Sequence, residues 1–375
     1  MPYRIVILPG DGIGPEVIQE GLKVLSVVEE YGNVEFQFKN FECGAHYYQK
    51  HGREWEPEAF EACKQSDAIF LGAIGLPSVN LPSGDIAGTG IVFGLRFGLD
   101  LYANVRPVKL YPGVLHKIGD KFVKVWDERN VDFVIVRENT EGLYTPMRGT
   151  LARAGVSEVG VDTRIITRKG AERVCRVAFL LSGKRRGAPR DGKKRVTCVH
   201  KNNVLAGCRL FVEVFDEVGK SYPHVEKDQA LVDAFAQWMM RTPESYDVCV
   251  TTNMFGDILT DLASVLQGGM GMAASGNIGE RHAMFEPVHG SAPKYGGKDV
   301  ANPIAAISSI RMMVDWLGET RDDKKLTDAS EKIEKAIACH LKEGRMLTYD
   351  LGGHARCSEV GHNIAKILEE IYSSS

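Results

Sequence analysis

The sequence predicts an α/β protein, and three observations carry that prediction. Tyr3–Leu8 is a short, β-branched apolar run that passes through the glycine turn PGDGIGPE into helical periodicity over Val17–Glu30. Further strand-like runs at Asp67–Leu71, Val131–Val136 and Val196–His200 alternate with helical stretches, as parallel sheets require. A third junction, VTTNMFGDILTD from Val250 to Asp261, again runs from strand to helix. At 375 residues the chain has room for two domains or one large α/β unit.

Composition removes several function classes. Hydrophobic residues make up 44% and charged residues 25%, an ordinary globular balance. A net charge of −3 with dispersed basic residues gives no reason to expect nucleic acid. The one basic run, Lys184–Arg186 and then Arg190–Arg195, is broken by Gly, Pro and Asp and reads as an exposed loop. Eight cysteines occur without a C-x-x-C pair, several within apolar runs, the pattern of reduced, buried thiols in a cytoplasmic protein. The chain starts directly into a strand pattern without signal-peptide organisation, and no apolar run approaches the roughly 20 residues of a membrane span.

Taken in order, Gly10, Gly12 and Gly14 allow a tight turn, Pro15 suits the first helical position, and Glu16 falls in the first turn. The spacing G-x-G-x-G-P lacks the third glycine of a Rossmann fingerprint, and no acidic residue follows a second strand at the expected distance. Val34–Phe38 reads as a strand, Pro57–Lys64 as a helix, and Gly72–Gly94 as a loop lining a cleft. Arg96 falls in a helical segment, Arg106 is held extended by Pro107, and Arg137 follows the strand Val131–Val136. Three arginines at element ends suit either surface ion pairs or a clamp for a substrate with several carboxylates.

Tyr144 lies in a turn, Leu151–Arg168 reads as an arm of strands, and Gly170–Leu181 as a helix. The strand Val196–His200 ends at Lys201-Asn202-Asn203, and Ala230–Arg241 is a helix carrying Asp233. In the VTTNMFGDILTD stretch, Asn253 and Gly256 read as a turn before the helix. Asp257 and Asp261, four apart, then share one helix face. That pair is either a favoured acidic helix start or a site for Mg²⁺ or Mn²⁺. Gly268–Ala274 reads as flexible. Glu286–Pro303 is a long loop with three glycines and three prolines, suited to phosphates and a ring near His289. Helices at Ile304–Leu317, Asp328–Leu341 and Ser358–Tyr372 close the chain.

Six motifs, in this order, resemble the β-decarboxylating dehydrogenases, which act on isopropylmalate, isocitrate, homoisocitrate, and tartrate or D-malate. They are LPGDGIGPE (Leu8–Glu16), LDLYANVRP (Leu99–Pro107), VRENTEGLY (Val136–Tyr144), HKNNV (His200–Val204), TNMFGDILTD (Thr252–Asp261) and EPVHGSAPKYGGKDVANP. The resemblance implies a two-domain, non-Rossmann, isopropylmalate-dehydrogenase-like α/β fold. One domain is built from residues 1–101 and 268–375; a central one, 102–267, carries the interface and arm of a homodimer.

It also implies roles: Arg96, Arg106 and Arg137 for substrate carboxylates, Tyr144 and Lys201 as the acid/base pair, and Asp233, Asp257 and Asp261 for the metal. Lys201 and Asp233 would enter the partner's site. Asn203 would lie near a nicotinamide, and the cofactor loop would use Glu286, His289, Gly290, Ser291, Ala292, Lys294, Tyr295 and Asn302, with Tyr349 beyond it.

Where the isocitrate enzymes bind a third carboxylate with serine and asparagine, this chain has Gly90 and Val92. With Phe93, Val92 forms an apolar wall that disfavours an unpaired carboxylate. A 3-alkylmalate such as 3-isopropylmalate is therefore the expected substrate, although Thr89 replaces the glutamate usual for isopropylmalate. Tartrate or D-malate comes next, then isocitrate or homoisocitrate; a non-catalytic regulatory subunit is disfavoured because the catalytic set is intact. Lys294, Tyr295 and Tyr349 resemble a 2′-phosphate site and tip the choice between NAD and NADP toward NADP. Gly353 and Ala301 depart from that pattern.

Overall fold

A computed structural model of the chain describes residues 2–374. The elements run β1 (Tyr3–Leu8), α1 (Gly14–Gly32), β2 (Phe36–Asn40), α2 (Ala45–His51), α3 (Ala59–Gln65), β3 (Ala68–Leu71) and α4 (Thr89–Gly98). Then follow β4 (Ala103–Lys109), β5 (His116–Ile118), β6 (Lys121–Val123), β7 (Asp132–Glu138), β8 (Arg148–Arg153), β9 (Val156–Asp162), α5 (Arg168–Lys184) and β10 (Arg195–His200). The chain continues through α6 (Ala206–Gly219), β11 (Glu226–Leu231), α7 (Val232–Arg241), β12 (Val248–Thr251) and α8 (Asn253–Ser264). It closes with β13 (Ala274–Ile278), β14 (Ala283–Pro287), α9 (Ile304–Arg321), α10 (Lys324–Glu343) and α11 (Cys357–Ser373).

The chain divides into two compact units. The first holds residues 1–101, 109–128 and 264–375; the second holds 102–108 and 129–263. In the first unit the strand order is β13-β14-β3-β1-β2, parallel except for the antiparallel β13–β14 pair. That order and the antiparallel pair are not those of a Rossmann sheet. Its β1 buries Ile5, Val6, Ile7 and Leu8 because a parallel strand is covered on both faces. Pro15 opens α1, whose Val17, Ile18, Val24, Leu25 and Val28 form one buried stripe.

In the second unit the order is β11-β10-β12-β7-β4, with β11, β10, β12 and β7 mutually parallel. Its core gathers Val134, Val136, Val174, Phe179, Val196, Phe211, Phe215 and Val250. Thr167 caps α5 by accepting from the Gly170 amide (2.9 Å), a device worth about 1 kcal/mol. Strands β8 and β9 form a hairpin whose residues are all exposed, including Leu151, Val156, Val159 and Val161.

Several expectations need correcting. Asn253 and Gly256 are not a turn: α8 starts at Asn253. The loop expected over Gly72–Gly94 ends earlier, since α4 begins at Thr89. The strand arm ends at Asp162, and Arg168 opens α5. Ala230 and Leu231 close β11 before the helix carrying Asp233 begins. Glu286 and Pro287 belong to β14, and Met270–Met272 is a 3₁₀ turn within the stretch read as flexible. All eight cysteines are free, seven of them buried. Among the described residues no helix is long and apolar enough to cross a membrane.

One buried histidine gives the fold a pH dependence. His340 on α10 is 1% exposed, and its Nδ1 accepts from Asn363 Nδ2 of α11 (2.9 Å), so the ring is neutral. Burial pulls its pKa from about 6.5 down to about 4. The unfolded chain therefore takes up this proton first. Stability is intact above about pH 6.5 and falls as the pH drops toward 4, by about 3 kcal/mol at the acid end. Denaturant unfolding of wild type and His340→Gln at pH 7 and pH 4.5 checks this. The variant should show the smaller acid loss, and equal losses would refute the assignment.

Candidate active site

The second unit assembles its charged centre where β12 hands the chain to α8. The β12–β7 register places Arg137 beside Thr251. The Arg137 side chain therefore lies against the first turn of α8. It is 1% exposed, so its charge must be answered locally. Asn253 Oδ1 accepts from Nε (3.0 Å) and from Nη2 (2.7 Å), while Nη1 donates to Asp257 Oδ1 in a very short contact. Gly256 is what lets the helix approach. A Cβ there would sit 2.6 Å from Arg137 Cγ.

Arg106 reaches the same helix from β4. Its Nε donates to Asn104 (2.7 Å), and its Nη1 donates to Thr260 Oγ1 (2.5 Å) and to Asp261 Oδ1 (3.3 Å). Nη2 lies 3.6 Å from Asp257. The Tyr144 hydroxyl donates to Asp257 Oδ2 (2.8 Å), and its ring lies under the Arg137 guanidinium at 5.6 Å. Partial burial raises the Asp261 pKa; Arg106 opposes the rise and the Asp257 charge adds to it. Five of the expected residues, Arg106, Arg137, Tyr144, Asp257 and Asp261, thus meet in one cluster. Asn253, Thr260 and Asn104 complete it without having been anticipated.

Lys201 and Asp233 form their own pair, Nζ to Oδ2 at 2.8 Å. The hydrogen bond from Lys201 keeps the Asp233 carboxyl below its usual range. Among the described residues, Asp233 does not join Asp257 and Asp261 in a group able to hold a metal. Asn203 is exposed in the turn after β10.

In the first unit, Arg96 on α4 is buried, and its Nη2 pairs with Glu286 Oε1 (3.2 Å), which also accepts from Asn277 (2.8 Å). Thr89, Val92, Phe93 and Arg96 follow i, i+3, i+4, i+7 spacing and share one face of α4. Ile91 and Leu95 bury the other. A cavity of about 510 Å³ is lined by His289, Gly290, Ala292, Asn302, Tyr295 and Tyr349. The two tyrosine rings are 5.5 Å apart. Burial lowers the His289 pKa, so the ring is neutral, and its shielded Nε2 has no protein partner. Lys117 of β5 and Asp350 also line the cavity, unanticipated from sequence.

Ser291 is turned elsewhere: its hydroxyl donates to the Gly75 carbonyl, and its own carbonyl accepts from Ile13. Lys294 is exposed on the same loop.

Residues 4–364 match the family described as isocitrate/isopropylmalate dehydrogenase. The chain is 40% identical over 372 residues to the 3-isopropylmalate dehydrogenase of Thermobifida fusca, covering 98% of both chains. It is 39% identical over 371 residues to the homoisocitrate dehydrogenase of Methanocaldococcus jannaschii, again covering 98% of both. The solved isocitrate dehydrogenase of Methylococcus capsulatus superposes with a TM-score of 0.84 at 34% identity, over 98% of this chain and 99% of that one.

The contact between α8 and Arg137 generates a sharp stability test. Gly256→Ala should cost about 1–3 kcal/mol by overpacking a site with no room for a methyl group, despite alanine's better helix propensity. Thermal or denaturant unfolding reads it, and a variant as stable as wild type would contradict the packing.

Proposed function

The chain belongs to the isocitrate/isopropylmalate dehydrogenase family, and on that premise we propose that it oxidatively decarboxylates a 3-alkylmalate such as 3-isopropylmalate. The carrying observation is the cluster of Arg106, Arg137, Tyr144, Asp257 and Asp261. Two buried arginines and two aspartates sum to zero charge. Adding one divalent cation makes the centre +2, the complement of a dicarboxylate. The donor set fits that ion: two carboxylates on one helix face, 34% and 56% exposed, offer hard oxygens to Mg²⁺ or Mn²⁺. The cavity fits an adenine dinucleotide, since the unpartnered His289 Nε2 calls for a ligand polar group and Gly290 leaves open space before its backbone.

When bound, the cation supplies a Lewis acid at the substrate hydroxyl, and the nicotinamide supplies the hydride acceptor. The chain's own residues do the rest. Arg106 and Arg137 hold carboxylates as planar donors, and Arg96 on α4 is a further donor of the same kind. Lys201, in its neutral amine form, takes the hydroxyl proton as general base, directly or through water, and becomes the ammonium. After CO₂ leaves, Tyr144 protonates the resulting enolate carbon. The hydrogen bond to Asp257 places its hydroxyl for that step.

Lys201 and Asp233 pair with each other within one chain. In this reading they complete the site of a second copy, so activity requires a homodimer with the exposed β8–β9 hairpin in its interface. Val92 and Phe93 favour an alkyl substituent, and the Thermobifida relative supports that substrate. The equally similar homoisocitrate enzyme keeps a tricarboxylate as the second reading. The aromatic pair Tyr295 and Tyr349, with Lys294 on the same loop, favours NADP over NAD.

Purified protein with Mn²⁺, NAD⁺ or NADP⁺, and a panel of alkylmalates, malate, tartrate, isocitrate and homoisocitrate provides the test. Fastest cofactor reduction is expected with an alkylmalate and NADP⁺, and absence of turnover across the panel would sink the proposal. Asp257→Asn should lower metal-dependent turnover at least about 100-fold while leaving cofactor binding in place.

A further inference from the structure

We infer that Glu54 is a selectivity gate. It fills the N-terminus of α4 with the protein's own carboxylate and so turns away hydroxy acids that carry a third carboxylate. This rests on the proposed use of the α4 face bearing Val92, Phe93 and Arg96 as the wall beside the substrate.

The first free amides of a helix, with its dipole, form a ready anion site. In α4 that place is taken. Glu54 Oε1 accepts from the Gly88 amide at 2.5 Å and from the Gly90 amide at 3.1 Å. The carboxylate is not a chance surface rotamer. Its backbone carbonyl accepts from Gly44 (2.7 Å), and the next residue, Trp55, bridges to Cys43 and packs on the core. Gly90 is shaped to admit it, because any Cβ there would collide with Glu54 Oε2. A serine at position 90 would therefore have to displace the carboxylate.

The consequence for a substrate follows from helix geometry. Thr89 to Arg96 spans about 10 Å of α4 along one face. A third carboxylate carried from Arg96 toward the N-terminal end of α4 would approach the Gly88 and Gly90 amides that Glu54 engages, one step round the helix from the Thr89 face. An alkyl substituent finds apolar side chains and loses nothing. A third carboxylate finds its two amide donors already engaged and a like charge in their place. Rejection comes from a built-in repulsive group as well as from the apolar wall.

Glu54→Gln tests this with little disturbance, because the amide oxygen still accepts from Gly88 and Gly90 while the charge is gone. The ratio of kcat/KM for isocitrate to that for 3-isopropylmalate should rise by about tenfold or more, and further in Glu54→Ala. A residue that only caps α4 would lower both values together, so an unchanged ratio in the folded Gln variant overturns the gate. A second arm does not depend on turnover. With Mn²⁺ present, isocitrate should raise Tm more in Glu54→Gln than in wild type, and an equal shift overturns the inference. Wild type that turns over no hydroxy acid would defeat the proposed function, and the Tm arm would still decide the gate.

Discussion

The guanidinium of Arg137 is the constraint on which the second unit's centre depends. An arginine that is 1% exposed cannot be left to solvent, and leaving such a charge unpaired costs several kcal/mol. Asn253 and Asp257, one helical turn apart on α8, both answer it. Meeting both fixes the angle at which α8 leaves β12 and demands glycine at position 256, between them. Asp257 is thereby committed twice, to Arg137 through Oδ1 and to Tyr144 through Oδ2. The acidic helix face is held rigid before any ligand arrives, which is the pre-organisation that electrostatic catalysis requires.

The same residues explain what the sequence made legible. Parallel strands such as β1, β7, β10 and β12 announced themselves as continuous β-branched runs, because burial on both faces leaves no polar alternation to confuse them. The Asp257–Asp261 pair was visible from spacing alone. Asn253 and Gly256 were misread because both types favour turns when nothing else is known. Here a long-range partner, 116 positions earlier in the chain, consumes the asparagine side chain and forbids a Cβ at the glycine. Helix α4 was hidden in its first turn for a related reason: Gly88, Gly90 and Gly94 dilute the helical signal, while Gly90 leaves the room that the Glu54 carboxylate occupies. Strands β13 and β14 went unread because they pair with each other and with β3, about 215 positions earlier, through backbone contacts that periodicity does not report. Lys117 reaches the cavity only because the short hairpin β5–β6 folds beside it.

The two candidate sites handle charge differently, and this bears on what each can bind. At the start of α8, the carboxylates of Asp257 and Asp261 face the guanidinium groups of Arg137 and Arg106. Around the glycine turn after β1 and the start of α4, three carboxylates accept from backbone amides. Asp11, fully buried, accepts from Ala45 (2.8 Å), His46 (3.0 Å) and Gly75 (2.8 Å). Glu16 accepts from Gly297 and from Asp299 (3.0 Å), and Glu54 from Gly88 and Gly90. The Glu16 bonds, with the Ile13 amide donating to the Ser291 carbonyl (2.8 Å), hold the 288–302 loop against the β1–α1 glycine turn, where Gly12 lies too close to the Ser291 carbonyl for any side chain. The glycine turn after β1 is therefore a buttress for the loop. With so many of its anions tied up in the scaffold, the cavity presents a neutral imidazole, two phenol rings and the Gly290 backbone, with Lys117 at its side and Asp350 already accepting from Asn302 (3.0 Å). A surface of that kind suits a flat heteroaromatic base followed by phosphates. The charge-dense face of α8 suits a hard cation and a small dicarboxylate. Each ligand class is matched to the unit whose side chains gather the complementary groups.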